Sequence, residues 1–174
     1  MSLFAFADES LVRALATVLG SHQSRLADAQ VKVQPLFAMP GVDAEGEPTG
    51  PALAHNGHPV LSQSKILGFK DRLTRAHDCE ILIDRDAWEV MEQPQRVALV
   101  DHALTCFEVR RDDQGEVKRD ALNRPKMSIR KHDRFFYGFD EVAERHGVNS
   151  LEAMNTRRIM DDVGQYYLPG FSHA

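Results

Sequence analysis

From Glu9 to Ala29 the apolar residues Leu11, Val12, Leu15, Val18, Leu19 and Leu26 recur at helical spacing. The next segment, VKVQPLFAMP, switches to extended patterning with Val31 and Val33 on one face. A chain that changes its hydrophobic period so abruptly must lay a helix on a sheet. Asp8 or Ser10 is placed to cap the helix, and Pro35 points to an edge strand or a bulge. Two more strands are predicted in PVLSQSKILGF and CEILID, with KDRLTRAHD as the turn of a broad hairpin. Lys70, Arg72 and Arg75 make that turn a solvated, basic surface. Between the first and second strands, Pro40–Pro59 is punctuated by Gly41, Gly46, Pro48, Gly50, Pro51 and Gly57 and reads as one long loop.

The second half is mainly helical in pattern. DRDAWEVM reads as a short helix with Asp84 as N-cap and Trp88 as a core anchor. Pro94 suits the first turn of a longer helix through QRVALVDHALTCFEV, with Val97, Val100, Leu104 and Phe107 on its buried face. DDQG marks a turn, KMSIRKHD an extended segment, and two further helices are expected near 138–146 and 150–166, the first ended by Gly147. No internal repeat stands out. The order of elements predicts an α+β single domain over residues 1–174, a small sheet packed on helices.

At 174 residues and 43% hydrophobic content the chain can bury a core without covalent staples. Cys79 and Cys106 are too few for a disulfide framework, which favours a reducing compartment. MSLFAFADESLVRAL lacks the basic start of a signal peptide, and no apolar run approaches the roughly 20 residues that span a bilayer. A cytoplasmic protein is expected. A net charge of −5 argues against a dedicated nucleic-acid binder, leaving only local basic residues such as Arg110, Arg111, Lys126, Arg130 and Lys131. There is no helix-turn-helix signature and no aromatic stacking platform.

Asp101-His102-Ala103-Leu104-Thr105-Cys106 carries the most specific chemistry. His102 and Cys106, four apart, rise from one face of the predicted helix one turn from each other. In H-E-x-x-H that spacing lets two imidazoles grip Zn²⁺ while the Glu serves as general base. Here Ala103 stands at the Glu position and Cys106 at the second His. By spacing alone, Cys106 reads first as a small core residue and His102 as a half-buried structural histidine. His22, His55, His58, His77, His146 and His173 read as surface residues, although His55 and His58 share the Gly-rich loop.

The surrounding blocks narrow these alternatives. WEVMEQPQRVALVDHALTCFEV resembles the tryptophan segment and Arg-Ala-Leu helix that lead into D-H-E-L-x-H in phage-borne metallopeptidases. RPKMSIRKHDRFFYGFDEVAERHG is similar to that family's following block, SKILGFKDRLTRAHDCEILID to its strand–basic loop–strand unit, and LADAQVKVQPLFA to its first helix–strand junction. The resemblance implies a zincin-like α+β domain with a central metal-motif helix. It places His102 at the first zinc ligand, Cys106 at the second and His132 at the third, with Asp133 orienting an imidazole or standing in as a catalytic carboxylate. A His-Cys-His set can hold zinc and leave a fourth position open, but Ala103 cannot act as a base. The implied function is a metallopeptidase-like protein with lost or altered catalysis. The alternative is a non-catalytic binding protein acting on a host or phage protein, with Pro40–Pro59 and Lys70–Arg75 as contact surfaces.

Overall fold

A computed structural model describes residues 2–132, 142, 145–149, 156 and 157. The chain divides into two compact units, Met1–Lys131 and His132–Ala174. The first is α+β. Its elements are β1 (Leu3–Phe6), α1 (Glu9–Ser21), α2 (Ser24–Asp28), β2 (Val33–Met39), β3 (Ala54–His55), β4 (His58–Pro59), β5 (Ser62–Ile66), α3 (Phe69–Thr74), β6 (Cys79–Asp84), α4 (Arg85–Val90), α5 (Gln93–Thr105), β7 (Phe107–Val109) and β8 (Met127–Ile129). In the second unit, helical backbone at Arg145 and His146 gives way to a 3-10 turn, Gly147–Asn149, with Gly147 at φ +51, the terminating role expected of this glycine. The helix expected at 150–166 lies outside the described residues, apart from Thr156 and Arg157. No helix among the described residues is long and apolar enough to cross a membrane.

Four strands form a mixed sheet in the order β1-β2-β6-β5. β2 runs parallel to β6 and antiparallel to β1, and β5 runs antiparallel to β6. The predicted broad hairpin is thus present, with α3 as its connection. β2 is an interior strand, not the edge that Pro35 suggested. β1 pairs only with Leu36–Met39, so at Pro35 the strand has a neighbour on one side alone, and a missing N–H is tolerated there. β1 escapes sequence reading because Leu3–Phe6 is short and mostly exposed.

One face of the sheet packs on helices. Leu11, Ala14 and Val18 of α1, together with Val100, Ala103 and Leu104 of α5, are buried against Phe37, Ile81, Ile83 and Trp88. Trp88 meets Phe37 edge-on, ring centroids 6.0 Å apart, and its indole N–H donates to Ser10 Oγ at 3.0 Å. Pro40–Pro59 folds over the opposite face, where Ala52 and Leu53 bury against Ala38. This segment is not one open loop. It holds the small β3–β4 hairpin, whose Asn56 and Gly57 both have positive φ, +51 and +83, as a two-residue type I′ turn requires.

The helix expected over Glu9–Ala29 is two helices, broken at His22–Gln23. The cause is Gln23, whose buried side chain leaves the helix line to bond α5. The last predicted helix also ends early. Phe107 is buried as expected, but Phe107–Val109 is a strand paired with Met127–Ile129.

Arg72, expected on a basic surface, is buried. Its guanidinium contacts Asp78 and Asp120 carboxylates, each at 2.8 Å, and donates to Pro125 O at 3.1 Å. Asp78, 1% exposed, also accepts from the Lys32 N–H at 2.9 Å. Arg124 completes the cluster, donating to the carbonyls of His77 at 2.9 Å and Arg75 at 3.1 Å. The network ties α3, the start of β2 and the segment between β7 and β8 into one body.

That segment contains a repeat invisible to composition. Asp112–Glu116 and Asp120–Arg124 form the same turn. In each, the Asp carboxylate accepts N–H groups two and four residues on. The fourth residue, Gly115 or Asn123, has φ +85 or +57. Asp43–Glu47 repeats the pattern with Gly46 at φ +88.

Replacing Arg72 with Met should cost about 3–5 kcal/mol, because it leaves buried carboxylates without their closest cation; urea unfolding with an unchanged m-value measures it. A loss below about 1 kcal/mol would mean that Arg124 neutralises both alone. Asp120 adds a pH dependence. Burial works to raise its pKa, but N–H groups of Arg124 and Leu122 and the Arg72 and Arg124 guanidiniums outweigh that and hold it below 3.8. The stabilisation is therefore complete above pH 3.8 and is lost as pH falls through the depressed native value. Asp120→Asn should flatten that acid limb in thermal unfolding between pH 5 and 2.

Candidate metal centre

α5 is started firmly and stopped abruptly. Gln95 reaches back to accept the Glu92 N–H at 2.9 Å, and Pro94 occupies the first turn. The helix ends at Thr105, with Cys106 still in helical backbone conformation (φ −64, ψ −17). His102 and Cys106 therefore keep the one-turn relation that the sequence predicts, and Cys106 Sγ donates to His102 O at 3.5 Å.

Carbonyls at the end of a helix lack intrahelical donors, and here three separate elements supply them. Ser64 Oγ of β5 donates to Ala103 O at 2.7 Å, Arg25 of α2 to Thr105 O at 3.3 Å, and the Arg130 N–H to Cys106 O at 2.8 Å. Gln23 Nε2 adds bonds to Asp101 Oδ1 at 2.6 Å and Thr105 Oγ1 at 2.9 Å. The ligand-bearing turn is thus fixed on several sides. Sequence reading missed Gln23, Arg25 and Ser64, since each lies in an ordinary polar context 39 to 82 residues from its partner.

The Arg130–Cys106 bond also carries His132 to the site. β7 and β8 align Phe107 with Ile129, so Arg130 returns beside Cys106 and His132 follows two residues later. The ligand atoms of His102, Cys106 and His132 all lie within 4.8 Å of one another. Both imidazoles are exposed and the thiol is half-buried. Cys79 is different: it is fully buried in the core, and burial drives its thiol pKa up, leaving it inert.

No carboxylate joins the three ligands among the described residues. Asp101 is engaged by Gln23, and Glu108 is exposed on β7 opposite Ser128. Asp133 lies outside the described residues. Position 103 is the more telling one. Ala103 is 0% exposed and packs in the main core beside Leu104 and Val100. Its Cβ faces the core while His102 is exposed, so a carboxylate at this position would point into apolar packing. Of the remaining histidines, His22, His55, His58 and His146 are exposed, His77 is half-buried, and His173 is outside the described residues.

The model of the family described as "Putative phage metallopeptidase" matches residues 50–164, more than half of the chain and a span that includes His102, Cys106 and His132. No curated protein and no solved structure matches.

Ala103→Glu should lower stability by at least about 3 kcal/mol, the cost of forcing an unpaired charge into apolar packing. It should create no peptidase activity. A variant as stable as the parent in urea would show that position 103 opens toward the ligands.

Proposed function

Since this chain belongs to the phage metallopeptidase family, we propose that it is a zinc-holding member that has given up peptide hydrolysis and acts by binding a host or phage protein in the cytoplasm. The observation that carries the zinc reading is the meeting of His102, Cys106 and His132 ligand atoms within 4.8 Å. Imidazole binds zinc at about 2.0–2.1 Å and thiolate at about 2.3 Å, so tetrahedral ligands stand roughly 3.3–3.8 Å apart. Small rotations of two exposed imidazoles close the present set to that spacing, and two nitrogens with one thiolate suit zinc over hard cations.

Bound there, zinc would supply Lewis acidity with a fourth position open. Each other contribution must come from the protein. His102 and His132 present neutral nitrogen donors, and Cys106 adds a negative charge that weakens the metal's pull on further ligands. Gln23, Arg25 and Ser64 hold the ligand-bearing turn, a preorganisation that survives loss of catalysis. No described carboxylate is placed to move a proton at this centre, and general acid–base help is typically worth about 10²–10⁴ in rate. Among the described residues, the scaffold thus offers metal donors without a carboxylate placed to use them for hydrolysis. This favours binding over cleavage.

Zinc content of the purified full chain, measured by inductively coupled plasma mass spectrometry, should be about one per molecule. It should be lost in Cys106→Ser and His132→Ala variants that keep the parental circular dichroism. Cobalt substitution should give a thiolate charge-transfer band that Cys106→Ser removes. Absence of metal in the folded parent would sink the zinc reading. Metal-dependent cleavage of a generic protein substrate, abolished by His102→Ala, would sink the loss of hydrolysis.

A further inference from the structure

The repeat between β7 and β8 has a second consequence. Arg110, Lys118 and Lys126 are eight residues apart in sequence. The Arg110 N–H donates to Lys126 O at 2.9 Å, the Lys118 N–H to Arg110 O at 2.9 Å, and the Lys126 N–H to Lys118 O at 2.8 Å. These bonds close a ring of three extended pieces joined by the two Asp turns, with isolated bridges Arg111–Val117 and Arg119–Pro125 on its sides. Hydrogen-bonded backbones lie about 4.8 Å apart. A basic residue thus occupies the same place on all three sides of a tight backbone triangle.

All three residues are exposed. None stands in an ion pair with another described residue, whereas Arg72 and Arg124 nearby are bound to Asp78 and Asp120. Like charges on neighbouring backbones oppose one another. Residues 108–131 carry eight Lys/Arg against five Asp/Glu, a net +3 in a chain whose net charge is −5. The charge is concentrated locally and mounted rigidly, because the ring is anchored through Arg72 to Asp120 and Pro125 O and through Arg124 to His77 O and Arg75 O.

From this geometry we infer that the Arg110–Lys118–Lys126 ring is a binding site for the phosphodiester backbone of nucleic acid. Three exposed cations borne on backbone positions fixed side by side suit a polymer with regularly spaced charges, which flexible side chains can follow. The site reads charge and not sequence, which agrees with the lack of an aromatic stacking platform or a helix placed for a groove. The overall acidity of the chain is no obstacle at contact range, since charges beyond roughly 8–10 Å are screened at physiological salt. The ring contains no proposed metal ligand, so the inference stands apart from the zinc reading.

Fluorescence anisotropy of a labelled 20-base-pair duplex with the full chain tests it. Binding is expected in 50 mM salt. Its logarithmic salt slope should be about −2.7 for three neutralised phosphates, a weakening of about 40-fold on going to 200 mM. The triple variant Arg110→Gln, Lys118→Gln, Lys126→Gln should keep the parental melting temperature and lose at least about tenfold in affinity. The double variant Lys32→Gln, Lys70→Gln, which removes exposed cations elsewhere, should bind like the parent. A single reversal, Lys118→Glu, gives a second reading if the triple variant misfolds. Three results would overturn the site: no duplex binding at 50 mM salt, equal affinity in parent and ring variants, or ring-dependent binding to phosphatidylserine vesicles without binding to duplex.

Discussion

The carboxylate of Asp78 is the point on which the fold turns. It sits at the foot of β6, 1% exposed, and binds Arg72 from α3, Arg124 from the β7–β8 segment and the backbone of Lys32 leading into β2. A buried charge is tolerable only when paired and hydrogen-bonded. Satisfying it forces α3 to fold back on the sheet and draws in a segment more than forty residues downstream. The parallel pairing of β2 with β6 then puts the apolar faces of both strands under α1 and α5. Placement of the ligand-bearing helix follows from that packing.

The same constraint marks where sequence reading succeeds. Local periodicity identified α1, β2, β5, β6, α4 and most of α5, because burial of one face by apolar residues is written at short range. Trp88 and Asp84 have the roles their residue types suggest, an anchor in the core and an N-cap accepting the Ala87 N–H. The misreadings involve polar residues whose partners are distant in sequence. Arg72 looks like any surface arginine until Asp78 and Asp120 meet it, and Gln23 looks helical until Asp101 and Thr105 offer better bonds. The eight-residue repeat stayed hidden because its conserved element is a backbone conformation. Asp followed three residues later by Gly or Asn preserves the turn, while the residues between vary freely.

At the candidate centre, the helical i, i+4 relation of His102 and Cys106 was legible, but the reason position 103 matters was not. A helix places neighbours about 100° apart, so exposure of His102 and burial of Ala103 are both settled by how α5 seats on α1 and the sheet. Once that face turns inward, a small apolar side chain is favoured there on packing grounds alone. The apolar residue at 103 and the present seating of the helix are therefore one physical fact. A carboxylate introduced at 103 by itself would work against the core on which α5 rests.

The β7–β8 pair runs between the basic ring and the Cys106 end of the candidate metal centre. Cys106 and Arg130 stand at one end, joined by a backbone hydrogen bond, and Arg110 and Lys126 at the other, joined by another. Four residue steps separate the ends, a span of roughly 13 Å at 3.3–3.4 Å per residue. An anion on the basic ring would thus lie near the candidate metal donors without competing for them, because the ring offers cations and the centre offers electron pairs. Both depend on the anchorage through Arg72, one because it fixes the ring and the other because it fixes the strand that returns to Cys106. A scaffold with that arrangement has reason to keep its buried ion network, since the network positions the ring and the strand that returns to Cys106.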